Sequence, residues 1–236
     1  MPTMTQRQKI NAWGYNTIAK QILSPVILGI ILFALAGTTD WFWGWVFNIL
    51  HLIVWAGMTL ALIRWNPELL NARGKRGAGT KRWDVVLLGI YGIAWVAMVV
   101  VGALDARYSW TQSLPSMLPI IGVVLMVAGF ALTTWGMVVN RNFEVTVRLQ
   151  EDRNHQVITT GPYQIVRHPG YTGVIMSFFI GMPLVLNSLP AFIPALIGAA
   201  VMILRTWMED RTLQAELPGY ADYTQQTRYR LLPGVW

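Results

Sequence analysis

Along the chain, long runs without an ionised side chain alternate with short polar segments. The apolar runs are Ile22–Gly37, Trp41–Ile63, Val85–Leu104, Met117–Val139, Tyr171–Leu186 and Leu189–Leu204. About 20 apolar residues suffice to cross the hydrocarbon core as a helix. In lipid only helices and closed barrels satisfy their own backbone groups, and the alternating polarity of barrel strands is not found in this sequence. The pattern predicts an all-α fold, a polytopic transmembrane helical bundle of about six membrane segments. The last two runs are short and joined only by Asn187-Ser188. They predict a tight helical hairpin, either spanning or re-entrant. Pro190 and Pro194 suit the first turns of its second arm, where a missing N–H does little harm.

Lys and Arg set the orientation. If both termini are cytoplasmic, the inner segments are 1–21, 64–84, 140–170 and 205–236, and they hold 17 of the 18 basic residues. Only Arg107, in the Asp105–Ser116 loop, falls outside, as the positive-inside rule expects. Trp41, Phe42, Trp43 and Trp45 then mark the outer interface, and Trp65 and Trp83 the inner one. The same distribution explains the net charge of +7 with membrane lipids as partner and no nucleic acid. Composition agrees, since 12% of residues are charged against roughly 25% in soluble domains. Met1–Gln21 is polar and basic, and the apolar run after it lacks a small-residue cleavage site. It reads as part of a retained first helix, not a removed signal peptide. Cysteine is absent, which excludes disulfides, thiolate nucleophiles and thiolate metal sites.

Three features carry bland readings. Gly122, Gly129 and Gly136 recur every seven residues and give one helix face a smooth stripe for close packing. The loop Gly74–Lys81 has the glycines of a phosphate-binding loop, but its Thr and Lys are reversed and no strand precedes it. It reads as a flexible basic loop at anionic headgroups. His51 sits mid-segment without a carboxylate on its helix, and reads as a structural hydrogen-bonding residue.

The stretch His155–Tyr171 differs in kind. It holds two His, one Arg, two Tyr and two Thr among turn formers, directly before the hairpin. At the hairpin's other end come Arg205, Glu209, Asp210 and Arg211. A tight hairpin returns the chain to its starting level, so the two clusters are expected to be neighbours. Arg205 and Glu209, four apart on a helix, share a face. Two polar clusters beside an apolar bundle suit a polar cofactor meeting a membrane-borne substrate. A metal is not expected, because His155 and His168 lack a known zinc-type spacing.

Gly161-Pro-Tyr-x-x-x-Arg-His-Pro-Gly-Tyr171, Arg205-x-x-x-Glu209-Asp210, Gly219-Tyr-x-x-Tyr223 and Leu232-Pro-Gly-Val-Trp236 resemble the isoprenylcysteine carboxyl methyltransferase family. The related phospholipid N-methyltransferases share part of this pattern. The resemblance covers roughly Asn140 to the C-terminus; residues 1–139 match only as a set of four membrane helices, so 140–236 is expected to be the catalytic region. The acidic pair is Glu-Asp where many relatives have Glu-Glu. The resemblance implies an integral membrane methyltransferase using S-adenosyl-L-methionine, with a cytoplasmic site and a lipophilic acceptor. Carboxylate O-methylation is the first expectation, with a phospholipid amine or a thiol as alternatives. By position it implies cofactor contacts at Gln150, His155, Gln156, Val157, Ile158, Tyr163, His168, Pro169, Gly170, Tyr171 and Glu209. Arg205 would face the substrate, and His168 would serve as base for any acceptor that must lose a proton. Membrane sterol-type reductases using NADPH have a similar C-terminal design, but Glu209-Asp210-Arg-Thr-Leu and Gly219-Tyr-Ala-Asp-Tyr223 fit the methyltransferases better. A non-enzymatic transporter or binding protein is the third reading; the internal repeats common in transporters are not visible.

Overall fold

The structure is a computed structural model that describes residues 9–75, 77–111 and 114–236. Residues 1–8, Arg76 and Gln112–Ser113 lie outside the described residues. They belong to the basic N-terminal segment, the Gly74–Lys81 loop and the Asp105–Ser116 loop.

Among the described residues all regular structure is helical. The long helices are α1 (Ala12–Ala36), α2 (Phe42–Trp65), α4 (Arg82–Tyr108), α5 (Met117–Val139) and α8 (Phe192–Glu216), and all five are long and apolar enough to cross a membrane. A short α3 (Pro67–Arg73) follows α2, and α9 (Tyr220–Gln226) follows α8. The first hairpin arm, Pro169–Val185, is continuous but not uniform. It runs as α6 (Pro169–Val174), a π-helical stretch (Ile175–Gly181) and α7 (Met182–Val185). Pro183 gives the widened turns a cause. In α geometry its ring would meet the Phe179 carbonyl and its missing N–H would leave that carbonyl unpaired. Instead the ladder shifts, and Met182 N–H bonds the Ser177 carbonyl.

Two helices outrun their apolar cores. α1 starts at Ala12 because Asn11 caps it, accepting from Trp13 and Gly14 N–H at 2.9 and 3.2 Å. Its polar residues have partners: Thr17 donates to the Leu70 carbonyl at 2.9 Å, and Gln21 accepts from Thr59 at 2.9 Å. α8 passes Leu204 and continues to Glu216, so the second hairpin arm is far longer than its apolar run and carries its polar end out of the bundle. The turn between the arms uses Asn187 in the left-handed region at φ 57°.

α5 lies against the hairpin's first arm. A Cβ on Gly122 would meet the Gly181 carbonyl and Val185 N, and one on Gly129 the Gly173 carbonyl and Ser177 N. Gly136 faces Gly170 N at a looser 3.6 Å. The glycine stripe is therefore the contact face. Around it Leu32, Phe47, Leu62, Met98, Met126, Met182 and Leu186 form the buried core. His51 packs in that core among Phe47, Trp95, Phe130 and Phe178. Its Nε2 accepts from Trp55 Nε1 at 3.0 Å, a partner one turn along the same helix and not on a neighbour.

The two ends of the bundle differ. At one end lie Asn11, α3, the segment 140–168, α9 and the last stretch before Trp236. The other holds the short connections after α1, α4 and α7, tied where Leu189 N–H meets Thr111 Oγ1 at 3.1 Å.

Candidate active site

The segment between α5 and α6 has little regular structure, so its polar backbone must be satisfied one group at a time. Gln150 and Asn142 hold each other: Gln150 Nε2 donates to the Asn142 carbonyl at 2.7 Å, and Asn142 Nδ2 to Gln150 Oε1 at 3.1 Å. Arg148 bridges Glu144 at 2.8 Å and Asp152 at 2.7 Å. Arg153 ties the same segment to Glu68 at 3.0 Å and to Gln150 at 3.0 Å. The Gly74–Lys81 loop is anchored here at its far end. Lys81 N–H donates to the Val147 carbonyl at 3.0 Å, and Lys81 Nζ pairs with Glu216 at 2.7 Å.

The C-terminal stretch is stitched to the Arg-His-Pro element. Arg167 and His168 N–H donate to the Tyr229 and Arg230 carbonyls, both at 2.9 Å. Asp210, fully buried, receives Arg167 through Nε and Nη2 at 2.8 and 2.9 Å, Arg230 at 2.8 Å and Tyr220 at 3.0 Å. Tyr223 donates to the Tyr163 carbonyl at 2.6 Å, and Asn140 to the Tyr163 hydroxyl at 3.0 Å. Burial pushes Tyr223 up to about 12 and holds Tyr163 and Tyr220 well above the usual tyrosine value. All three are neutral donors at pH 7.

These elements line a cavity at the polar end of the bundle. Of the residues expected there, Gln150, His155, Gln156, Val157, Ile158, Tyr163, His168, Tyr171 and Glu209 line it. Pro169 and Gly170 do not; they face α5 near Gly136, and a Cβ on Gly170 would strike the Phe143 ring. The hairpin brings its two clusters together as expected: the Tyr171 hydroxyl donates to Glu209 Oε2. His168 stacks on Tyr171 with ring centroids 5.6 Å apart, and its Nε2 lies 3.4 Å from Asp210.

Arg205 takes a different place from the one expected. It does not line the cavity, is 3% exposed, and stands behind Tyr171. Its Nε donates to Asp84 at 2.7 Å, Nη1 to the Tyr171 hydroxyl at 2.6 Å and Nη2 to the Val145 carbonyl at 2.9 Å. Three fixed acceptors hold the guanidinium in that place. The reason is Asp84 on α4, which four-residue spacing along α8 does not reveal.

Sequence reasoning passed over Asn140, Asn142, Phe143, Glu144, Thr146, Val147, Arg148, Leu213 and Leu217, all of which line the cavity. Arg167, Tyr220 and Tyr223 also line it; they stood in the quoted motifs without an assigned contact. A polar run in the segment right after a membrane helix was the available signal for Asn140 to Arg148.

Two acceptor atoms on residues of the cavity lining have no donor among the described residues. Glu209 Oε2 is taken by Tyr171, while Oε1 has no donor among the described residues. Asn142 Oδ1 is buried without a hydrogen bond. Its amide orientation is fixed by the chain of contacts, since Arg153 donates to Gln150 Oε1 and so requires Asn142 Nδ2 to face it. Of the two, Glu209 Oε1, on a half-buried residue, is the acceptor that can face a ligand carrying donors, while Asn142 Oδ1 is sealed behind the surface. An ammonium or a hydroxyl fits Glu209.

Known proteins resemble the chain to different extents. A solved structure of the eukaryotic intramembrane Ras methyltransferase, an isoprenylcysteine carboxyl methyltransferase, is 15% identical with a TM-score of 0.48, over 95% of this chain and 98% of that one. Two curated relatives, probable protein-S-isoprenylcysteine O-methyltransferases of Oryza sativa subsp. indica and subsp. japonica, are each 32% identical over 57 residues. That match spans 24% of this chain and 30% of the relatives' length. Residues 121–215, which take in most of α5, the hairpin and most of the cavity wall, match the model of the isoprenylcysteine carboxyl methyltransferase (ICMT) family.

Proposed function

We propose that the chain is an integral membrane methyltransferase that takes its methyl group from S-adenosylmethionine and transfers it to a lipophilic acceptor. The observation that carries this reading is the open acceptor Glu209 Oε1 in an aromatic cavity built largely by the segment that matches the family. It suits the ammonium or a ribose hydroxyl of the donor, and Phe143, Tyr163 and Tyr171 suit its adenine and sulfonium. The bound donor supplies a methyl group already activated on sulfur. The chain then has to bind, orient and exclude water, and in-line transfer gains chiefly from such positioning. Leu213, Leu217, Val157 and Ile158 give the cavity an apolar wall. A carboxylate acceptor is already a nucleophile, and O-methylation of one is the first assignment. An amine or thiol must lose a proton, and His168, on the cavity wall beside Asp210, is the catalytic residue placed to take it. Because every Lys and Arg among the described residues except Arg107 falls in segments 9–21, 64–84, 140–170 and 205–236, at the cavity's end of the membrane helices, that side is assigned as cytoplasmic.

Calorimetry on detergent-purified protein tests the donor. Binding of S-adenosylmethionine or its demethylated product is expected in the micromolar range, on the order of −8 kcal/mol, with no response to NADPH. Binding of NADPH and not of the methyl donor would move the chain to the reductase class. Methyl-labelled donor incubated with native membranes then identifies the acceptor by the labelled product.

A further inference from the structure

Asp84 opens α4, outside the segment that matches the family, and it is fully buried. Both of its oxygens are committed. Oδ2 accepts from Val147 N–H at 2.8 Å, and Oδ1 from Arg205 Nε at 2.7 Å. Val147 lines the cavity. Arg205 passes the connection on, donating to the Tyr171 hydroxyl at 2.6 Å, and Tyr171 donates to Glu209. The chain therefore runs from α4 through α8 and α6 to the cavity carboxylate, and each link is directional. A guanidinium has only donors, so the Tyr171 hydroxyl must accept from Arg205 and turn its own proton to Glu209. That leaves Glu209 Oε1 as the open oxygen.

From this geometry we infer that Asp84 is a positioning residue for donor binding. It fixes the Arg205 fork, which sets the Tyr171 proton, which selects the Glu209 oxygen that faces the ligand. It also pins the cavity lining at Val147, so one buried carboxylate holds two parts of the wall. The surroundings fit this role better than a packing role alone. A buried pair needed only for packing has no reason to end on a ligand-facing carboxylate, and hydrophobic residues of similar volume often replace such pairs without loss. The inference rests on the proposed use of S-adenosylmethionine.

The test is a double-mutant cycle between Asp84 and Glu209, which do not touch, read as affinity for S-adenosylmethionine and its demethylated product. Coupling between groups out of contact is expected only if a connected network joins them. Asp84→Asn in the wild-type background is expected to weaken binding about tenfold, the scale of one charged hydrogen bond. In the Glu209→Gln background the same change is expected to cost less than about twofold, because its route ends on the group already altered. A merely structural Asp84 would give equal losses in both backgrounds, and that result overturns the inference. Unchanged affinity in a folded Asp84→Asn protein overturns it too. Should Asp84→Asn not fold alone, the charge-neutral pair Asp84→Asn with Arg205→Gln is carried through the same cycle, with the same expectations. A wild-type chain that binds neither ligand would refute the proposed function itself, an outcome distinct from equal losses in a protein that binds.

Discussion

Glu209 and Arg205 sit one helical turn apart, and their side chains meet the same Tyr171 hydroxyl from opposite sides. Glu209→Gln keeps the size of the side chain and removes the charge facing a cationic ligand. It is expected to cost donor affinity about 2–3 kcal/mol, measured by calorimetry. Arg205→Ala leaves Asp84 buried and uncompensated, which costs about 3–5 kcal/mol. Its melting temperature in detergent and its donor affinity are both expected to fall. Arg205→Lys is expected to recover little, since one ammonium cannot serve Asp84, Tyr171 and the Val145 carbonyl in the geometry of a planar fork. His155 gives a pH signature. Burial holds its imidazole down to about 4 from 6.5, so the folded chain refuses a proton that the unfolded chain accepts. Stability from this group is full above pH 6.5 and drains as pH falls towards 4. Melting curves across that window should show the drop, and His155→Gln should remove this part of it. Residue by residue, the sequence showed Glu209, His155 and Tyr171, because they stand in a dense motif. Asp84 and Asn142 were illegible for a physical reason. A lone carboxylate at the start of a membrane helix looks like an interfacial charge, and only tertiary packing supplies Arg205 and Val147.

At the scale of elements, the seven-residue glycine spacing on α5 was a readable contact face, and the hairpin's first arm fills it. The three glycines are not equivalent. A Cβ on Gly129 would press on backbone atoms of Gly173 and Ser177, which cannot swing aside, whereas at Gly136 the nearest atoms lie 3.6 and 3.7 Å away. Gly129→Ala is therefore expected to destabilise the protein by about 1–3 kcal/mol, and Gly136→Ala to be nearly neutral. Thermal denaturation of the two variants in one detergent separates them; equal effects would mean that the α5 contact is softer than it looks. Helix ends were less readable than helix cores. Hydropathy marks where lipid begins, while α1 extends to Ala12 because Asn11, Thr17 and Gln21 find partners on α2, α3 and their own helix. The π-helical stretch was illegible for a similar reason, since Pro183 alone does not say whether a helix breaks, kinks or widens.

Across the whole molecule, polar and apolar chemistry separate along the bundle axis. The cavity, α3, α9 and the docked Lys81 lie at one end, and the short connections between membrane segments lie at the other. The hairpin's first arm, Pro169–Val185, is short for a bilayer of roughly 30 Å at about 1.5 Å per residue, while α8 carries its polar end, from Arg205 to Glu216, beyond the apolar run. On the proposed function, this end of the bundle is where a polar donor meets an acceptor held in lipid. The absence of native cysteine makes the topology directly testable. Lys75→Cys and Gln225→Cys place a thiol on exposed positions at the cavity end, and Ser116→Cys does so at the other. In intact cells an impermeant thiol reagent should label only position 116, and after lysis it should label all three. Labelling of position 75 or 225 from outside would turn the protein over in the membrane and put its cavity on the wrong side for a cytoplasmic methyl donor, so this single measurement bears on orientation and on the proposed chemistry together.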